Sequence, residues 1–206
     1  MNPCPFIKSF LQHLRADIYP EPSGEPHPTI TKQMIKQLAE TGIILPGQRI
    51  LDAGCGHGLA LEEFARHGVD ALGITLGPEA EQCRQRGLDV RDMDVSFLEF
   101  DTAFFDLIWC RHTLEHSFSP LLTLYGFYRT LKNDGRLYVE VPAPDTACHH
   151  EKNPNHYSVL GKSMWSSLFA KSGFILEWTG DFSFETAAGS DLYWSFMLRK
   201  KQHPPT

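Results

Sequence analysis

The chain of 206 residues has no excess of basic residues, no C-x-x-C cysteine pair and no long apolar run. Its 19 lysines and arginines and 25 acidic residues give a formal net charge of 19 − 25 = −6. We therefore expect no nucleic-acid partner. Because no run approaches the roughly 18 apolar residues of a membrane-spanning helix, we also expect no membrane insertion. The first residues lack the apolar core of a signal peptide.

The five cysteines are odd in number and widely scattered, which favours reduced thiols over a disulfide framework. We therefore expect a cytoplasmic protein. With 42% hydrophobic and 21% charged residues, the composition is that of an ordinary globular domain with a full core. Neither composition nor cysteine spacing indicates an oligomeric state. The cysteines are Cys4, Cys55, Cys83, Cys110 and Cys148.

From residue 49 onward, segments with strand character alternate with segments of helical character. Two strands at 174–179 and 191–199 end the pattern without a helix between them, so we expect them to pair antiparallel. This order predicts an α/β fold with a doubly wound, mostly parallel, seven-stranded sheet of Rossmann-like type. The other predicted strands are 49–52, 70–75, 89–93, 105–110 and 136–141, and the predicted helices are 59–68, 78–87, 120–132 and 163–172.

The first 30 residues precede this alternating region. Residues 6–18 carry apolar side chains near helical spacing, and the four prolines of residues 19–28 predict an extended loop. A further helix is expected to run to about Glu40. The first segment is too short to own a core. We interpret residues 1–30 as a helix-and-loop extension, a candidate lid, and residues 31–206 as one domain.

Three glycines with single-residue spacing follow the first predicted strand, in Leu51-Asp52-Ala53-Gly54-Cys55-Gly56-His57-Gly58. Such a turn lets a ligand lie against bare backbone beside the free N–H groups of a helix start. The dinucleotide pattern G-x-G-x-x-G requires glycine where Leu59 stands, and no lysine follows as in phosphate-binding loops. Asp52 would repel a pyrophosphate but accept from an ammonium group. The ligand implied is cationic or zwitterionic at this point.

In sheets of this kind, ligands bind beyond the carboxyl ends of the strands, where the strand order reverses. The predicted elements place the glycine loop, Thr75, Asp94, residues 110–112 and residues 141–142 at that edge. Every motif with chemical content therefore falls on one side of the molecule.

The D-x-G-x-G-x-G sequence resembles motif I of the class I S-adenosylmethionine-dependent methyltransferases. Further segments resemble the family in the same order, and the resemblance covers nearly all of residues 31–199. It implies methyl transfer from S-adenosylmethionine to a small-molecule substrate. The further segments are Asp94-Val95 before Phe97-Leu98-Glu99-Phe100 (G-D-A-x-x-L-P-F), residues 105–110 (the F-D-L-V strand), residues 111–116 (x-x-x-L-E-H) and residues 131–137 (L-K-P-G-G-x-L).

The resemblance also implies which residues contact the cofactor. In the family the glycine loop embraces the amino-acid part of the cofactor. An acid at the place of Asp94 accepts from the adenine amino group, and the next backbone N–H meets a ring nitrogen. The implied cofactor-binding residues are Asp52, Ala53, Gly54, Cys55, Gly56, Gly58, Thr75, Leu76, Asp94, Val95, Cys110 and Arg111.

One position departs from the family pattern. The second strand normally ends in Asp or Glu, which binds the ribose hydroxyls, whereas this chain has Thr75 there. A single hydroxyl binds a diol less firmly than a carboxylate. The segment Gly-Ile-Thr-Leu is similar to that of cyclopropane fatty acid synthases, which use the same cofactor. The departure therefore bears on affinity more than on the identity of the ligand.

Candidate catalytic residues fall in two segments that contain histidine. After the fourth strand, residues three or four apart share one face of a helical turn. The segment 149–157 follows the fifth strand, where it forms either an active-site loop or a solvated loop. A neutral imidazole is a suitable base for a hydroxyl acceptor. The candidates are His112, Glu115, His116, His149, His150, His156 and Tyr157.

No metal is expected at these positions. Some ubiquinone-pathway O-methyltransferases bind a divalent ion through E-x-x-E-H here, but His112 replaces the first Glu, and hard cations prefer oxygen ligands. The histidines of residues 149–156 lack the spacing of a structural zinc site.

Two questions stay open at this point. Because the ribose acid and the N-P-P-Y or D-P-P-Y signature are missing, a non-catalytic regulatory or scaffold protein that binds S-adenosylmethionine is the alternative function. The acceptor itself can be a sugar, a phenol, a lipid or a small acid.

Overall fold

The structure is a computed structural model that describes residues 5–16 and 24–202. The end of the predicted first helix and half of the proline-rich loop, at residues 17–23, lie outside the described residues. The described chain forms six α-helices and seven strands. The helices are α1 (Pro5–Ala16), α2 (His27–Glu40), α3 (Leu59–Arg66), α4 (Pro78–Gln85), α5 (Pro120–Thr130) and α6 (Lys162–Lys171). The strands are β1 (Arg49–Ala53), β2 (Asp70–Thr75), β3 (Val90–Asp92), β4 (Phe105–Arg111), β5 (Leu131–Pro142), β6 (Phe174–Thr186) and β7 (Gly189–Lys200).

The strands form one sheet in the order β3-β2-β1-β4-β5-β7-β6. Strands β1 to β5 pair in parallel, whereas β7 runs antiparallel to both β5 and β6. The predicted fold class and the antiparallel pairing of the last two strands are confirmed. The order reverses between β1 and β4, so their carboxyl ends open the crevice in which such sheets bind ligands.

Strand β4 separates two hydrophobic clusters because successive side chains of a strand point to opposite faces. Ile108 and Cys110 belong to the cluster covered by α5 and α6, and Leu107 and Trp109 belong to the cluster covered by α2 and α3. All four side chains are almost fully buried. The continuous apolar run seen in the sequence is thus the two-sided burial of a central parallel strand.

Several boundaries differ from those predicted. Helix α2 begins at His27 because Pro28 fits the first helical turn, so the loop prediction is wrong for residues 27–28. Helix α2 therefore crosses the expected boundary at residue 30. Helix α5 ends at Thr130, two residues early, because Leu131 is extended and pairs with Phe105 of β4.

Two further features of the described residues concern disulfide bonds and membrane-spanning helices. None of the four described cysteines forms a disulfide bond. No helix among the described residues is long and apolar enough to cross a membrane.

Helix α5 offers a direct test of the core. Phe127 is fully buried, whereas Tyr125, on the same helix, is 63% exposed. We expect Phe127→Ala to lower the free energy of unfolding by about 3–5 kcal/mol, since a large cavity replaces the ring. Tyr125→Ala should change it by less than about 0.5 kcal/mol. Urea denaturation followed by circular dichroism measures both, and equal losses would contradict the packing described here.

Candidate active site

The glycine loop joins β1 to α3 at the reversal point of the sheet. Gly54 and Gly58 have φ angles of +86° and +81°, which only glycine adopts readily. A Cβ on Gly54 would collide with the side chain of Thr113, in the turn after β4. The N–H groups of Gly54 and Cys55 both donate to the carbonyl oxygen of Ile74 at 2.9 Å. The loop therefore lies in close contact with β2 and with the turn after β4, and this close approach requires glycine at position 54.

Asp52, the last residue but one of β1, carries a buried carboxyl group beside this loop. Its side chain is 3% exposed, and among the described residues Oδ2 has no hydrogen-bond partner. Burial raises the pKa of Asp52 to about 7, against the lowering effect of the Arg111 charge. A buried acceptor without a partner fits a positively charged ligand group, which supplies both the missing hydrogen bond and the missing charge. This unpaired acceptor thus fits the ammonium group in the amino-acid part of S-adenosylmethionine.

The residues next to Asp52 contribute backbone atoms and buried side chains to the site. Ala53 and Cys55 are buried, and burial raises the pKa of the Cys55 and Cys110 thiols above their usual range. These thiols are therefore packed side chains rather than nucleophiles. Sγ of Cys83 lies 3.3 Å from the carbonyl oxygen of Gly56, which fixes the middle of the loop.

The family that this chain resembles normally has, at the end of β2, an acidic residue that binds the ribose; this chain has Thr75 there. Thr75 and Leu76 are half-buried there, and Met93 donates its N–H to the carbonyl oxygen of Thr75 at 3.2 Å. Across the β2–β3 pairing, the partner of Thr75 is Asp92. Paired residues of neighbouring strands present their side chains to the same face, so an acidic residue stands beside the threonine. Sequence reasoning missed Asp92 because only the strand register reveals it.

Asp94 begins a tight turn after β3. Its Oδ1 accepts the N–H of Ser96 at 2.8 Å, and its carbonyl oxygen accepts the N–H of Phe97 at 3.0 Å. Val95 is half-buried against the main core cluster. The turn orients Asp94 at the same edge as the glycine loop.

The N-terminal extension reaches the neighbourhood of this turn. The ring of Phe97 stacks on Phe118 with centroids 5.9 Å apart. Phe10 of α1 meets Phe118 edge-on at 5.2 Å. Helix α1, the described part of the candidate lid, therefore packs beside the Asp94 turn.

A buried ion pair joins the last residue of β4 to its partner in β5. Nη2 of Arg111 lies 2.7 Å from Oε1 of Glu140 in β5, and Nε2 of His112 donates to the same oxygen at 2.8 Å. Tyr138 donates its hydroxyl to Oε2 at 2.9 Å. Burial opposes ionisation of Glu140, but the His112 hydrogen bond and the Arg111 charge outweigh it and lower its pKa. Nη1 of Arg111 also donates to Thr31 of α2 at 2.9 Å.

His112 is enclosed on both sides. Its ring stacks on Tyr193 with centroids 4.3 Å apart, and His27 of α2 meets it edge-on at 4.7 Å. Burial, and then the Arg111 charge, lower the pKa of His112. Burial, and then His112 and Arg111, lower the pKa of His27 to about 4. The sequence did not indicate His27 as a site residue, because it was expected to lie in a loop. Glu140 was also missed, although a single acid within an apolar strand could have pointed to it.

The fold brings four of the candidate histidines together, and we call His112, His116, His150 and His156 the imidazole cluster. The rings of His116 and His156 meet edge-on at 4.6 Å, and those of His150 and His156 stack at 5.8 Å. Tyr193 joins His150 to His112, with centroids 5.3 Å and 4.3 Å away. A ligand atom of Glu115 lies within 4.8 Å of those of His116 and His156.

Two candidates lie apart from this cluster. His149 has a left-handed backbone with φ of 50°, and its exposed side chain lies 3.3 Å from Glu151. Tyr157 donates its backbone N–H to the carbonyl oxygen of Glu115 at 2.8 Å, while its side chain is 48% exposed. The segment around them thus anchors its backbone to the turn after β4.

Comparison with known proteins identifies the family. A family model described as a methyltransferase domain matches residues 27–179, more than half of the chain. The chain belongs to this methyltransferase family. The match agrees with the motifs at the sheet edge, and it confirms the resemblance to class I S-adenosylmethionine-dependent methyltransferases, including their cofactor. Its start at residue 27 coincides with the start of α2.

Curated relatives match part of the methyltransferase. A ubiquinone biosynthesis O-methyltransferase of Methylococcus capsulatus is 32% identical over 110 residues, which cover 50% of this chain and 46% of the relative. One of Xanthomonas oryzae is 37% identical over 103 residues, covering 46% and 43%. The match thus spans about half the length of the curated relatives.

Solved structures share the fold. A SAM-dependent methyltransferase of Methanosarcina mazei has a TM-score of 0.67 at 17% identity, covering 80% of this chain and 98% of its own. The [4+2]-cyclase SpnF has a TM-score of 0.69 at 21% identity, covering 82% and 80%. Since a cyclase shares this architecture, the fold alone does not fix the reaction.

The contact of Gly54 with Thr113 can be tested against a matched glycine. Gly47 also has a positive φ, of +79°, but an added Cβ there meets nothing within 4 Å. We expect Gly47→Ala to cost about 1–2 kcal/mol from backbone strain alone. Gly54→Ala should cost about 1–3 kcal/mol more, because its Cβ also displaces Thr113. Denaturant unfolding measures both, and equal costs would show that the loop has room at Gly54.

The pKa of Asp52 predicts a pH dependence of stability. Because its folded pKa of about 7 exceeds the ordinary value of 3.8, the folded state holds the proton more tightly. Its contribution is present at low pH and is lost as the pH rises from 4 through 7. As the pH rises across that range, the free energy of unfolding of the wild type should therefore fall by on the order of 4 kcal/mol relative to that of Asp52→Asn. A difference that does not change with pH, measured by urea titration, would contradict the raised pKa.

Proposed function

We propose that this methyltransferase transfers a methyl group from S-adenosylmethionine to a hydroxyl group of a small aromatic acceptor. The observation that carries the proposal is the imidazole cluster at the edge that holds the glycine loop. Imidazoles suit the removal of a proton from a hydroxyl group, and aromatic rings beside them suit a flat acceptor. The names of the curated relatives, which are O-methyltransferases of ubiquinone biosynthesis, support the same class of acceptor.

The cofactor would be held by the residues at the ends of β1, β2 and β3. When bound, S-adenosylmethionine supplies a methyl group on a sulfonium, which is already activated for transfer. The Asp52 carboxylate accepts from the ammonium group, and the bare backbone of the glycine loop allows close approach. Asp94 and Val95 hold the adenine. Thr75, with Asp92 beside it, stands at the ribose.

We assign the general base to His116. Its Nδ1 lies 3.1 Å from the carbonyl oxygen of Asn155, and because a carbonyl only accepts, Nδ1 carries the hydrogen. Nε2 then carries the lone pair and accepts the proton of the acceptor hydroxyl. The Asn155 carbonyl holds the ring in this tautomer, as an orienting partner does for a catalytic histidine. The neighbouring Glu115 carboxylate stabilises the imidazolium that forms.

His112 has a positioning role in this proposal. Its Nε2 hydrogen is held by Glu140, and its ring is enclosed by Tyr193 and His27. The lowered pKa keeps the ring neutral near neutral pH, so it holds Tyr193 and the turn after β4 in place without adding a charge.

The binding step predicts a pH profile. S-adenosylhomocysteine should bind about tenfold more weakly at pH 6 than at pH 8, because its ammonium group requires ionised Asp52. Asp52→Asn should bind weakly at both values and show a flat profile. Asp70→Asn, an exposed acid at the opposite end of β2, should keep the wild-type profile. Isothermal titration calorimetry measures all three, and a steep profile in Asp52→Asn would remove Asp52 from the site.

The proton-transfer step predicts a loss of rate without a loss of cofactor affinity. We expect His116→Gln to lower kcat towards a catechol acceptor by about 10²–10⁴-fold, as removal of a general base does. His67→Gln, at the far end of α3, should keep the wild-type kcat. S-adenosylhomocysteine should bind both variants equally.

The class of acceptor is tested by measuring methyl transfer to a catechol, a sugar and a fatty acid in separate reactions. Turnover of the catechol alone supports the proposal, and turnover of a different acceptor alone contradicts the aromatic class. Cofactor binding without any turnover would favour the non-catalytic function instead.

A further inference from the structure

Three side chains with different ligand atoms meet near Tyr193, whose ring centroid lies 5.3 Å from that of His150. Cys148 and His150 come from the loop after β5, and Asp191 comes from β7. The thiol sulfur, the imidazole nitrogen and a carboxylate oxygen all lie within 4.8 Å of one another. Nε2 of His150 is 2.9 Å and 3.1 Å from the two oxygens of Asp191. The His150 and Asp191 side chains are only 11% and 3% exposed.

This donor set matches a borderline metal ion. Sulfur, nitrogen and oxygen donors together are typical of Zn²⁺, whereas Mg²⁺ and Ca²⁺ take oxygen donors alone. Around a tetrahedral zinc ion, the ligand atoms lie about 3.3–3.8 Å apart. Small side-chain adjustments within the observed limit of 4.8 Å reach this spacing.

The surroundings hold two of the ligands in place. The backbone N–H of Leu192 donates to Oδ1 of Asp191 at 2.9 Å. Oγ1 of Thr186, at the tip of the β6–β7 hairpin, lies 3.4 Å from Sγ of Cys148. Such outer partners orient metal ligands. The Thr146 hydroxyl is also buried beside Asp191, and among the described residues it forms no hydrogen bond of ordinary geometry.

We propose that Cys148, His150 and Asp191 bind one Zn²⁺ ion, with the fourth position taken by water. The ion joins the loop after β5 to the β6–β7 hairpin, two segments that are 41 residues apart at His150 and Asp191. It holds His150 in place, and through His150 the ring of Tyr193. The proposal does not depend on methyl transfer, and its ligands differ from Glu115, His116 and His156.

Metal titration of the whole chain tests the site. The protein is treated with a chelator, dialysed, and titrated with Zn²⁺ and, separately, with Co²⁺. We expect one equivalent of each ion to bind, and the Co²⁺ protein to show the strong near-ultraviolet band of a cobalt thiolate. Cys148→Ser should lose this band and bind Zn²⁺ at least about tenfold more weakly, since even outer-shell changes cost 10–100-fold. Asp191→Asn should weaken binding while keeping the band.

Two control variants separate this site from its neighbours. His149→Gln changes an exposed histidine beside Cys148 and should bind Zn²⁺ as the wild type does. His116→Gln changes the other group of ligand atoms and should also keep the cobalt band. Circular dichroism confirms that each variant is folded.

A site-resolved measurement covers the case in which a variant fails to fold. In the wild-type protein, Zn²⁺ should slow alkylation of Cys148 by iodoacetamide, measured by mass spectrometry of its peptide. Absence of a bound equivalent, or alkylation of Cys148 at the same rate with and without Zn²⁺, would overturn the proposal. Loss of binding in His116→Gln but not in Cys148→Ser would also overturn it.

Discussion

The buried carboxylate of Glu140 is the charge around which this site is built. It is 1% exposed, and it is neutralised by Arg111 and hydrogen-bonded by His112 and Tyr138. Removing one partner of such a buried pair costs about 3–5 kcal/mol, because the other charge is left uncompensated. The charge therefore fixes where β4 and β5 end relative to each other. Through Thr31 it also fixes α2 against the same edge.

Two buried carboxyl groups of this edge have opposite proton affinities. Glu140 has charged and hydrogen-bonding partners, so its pKa is lowered, whereas burial raises the pKa of Asp52 to about 7 against the opposing effect of the Arg111 charge. The difference comes from partners rather than from burial, since both side chains are almost fully buried. Glu140 is therefore charged and fully paired within the protein, whereas Asp52 is left able to respond to a charged ligand.

The central elements were predictable because their signals are local. The apolar run of β4, the glycines after β1 and the proline in the first turn of α4 each indicate a conformation from neighbouring residues alone. The edge at which the motifs meet then follows from the general rule that ligands bind beyond the carboxyl ends of parallel strands. The wrong predictions concerned the residues at which helices begin and end. Helix α2 began earlier than predicted because proline is as compatible with a first helical turn as with a loop, and only the packing of His27 on His112 decides between them.

The sequence by itself determined the fold class and the cofactor, because the motifs that indicate them depend on spacing along the chain. Only the tertiary structure decided which histidines share a site. It grouped His116 with His156, separated His149, and brought Asp191 to His150. The physical reason is that these contacts depend on strand register and on the path of the loop after β5. Register and loop path are set by long-range packing, which residue spacing does not encode.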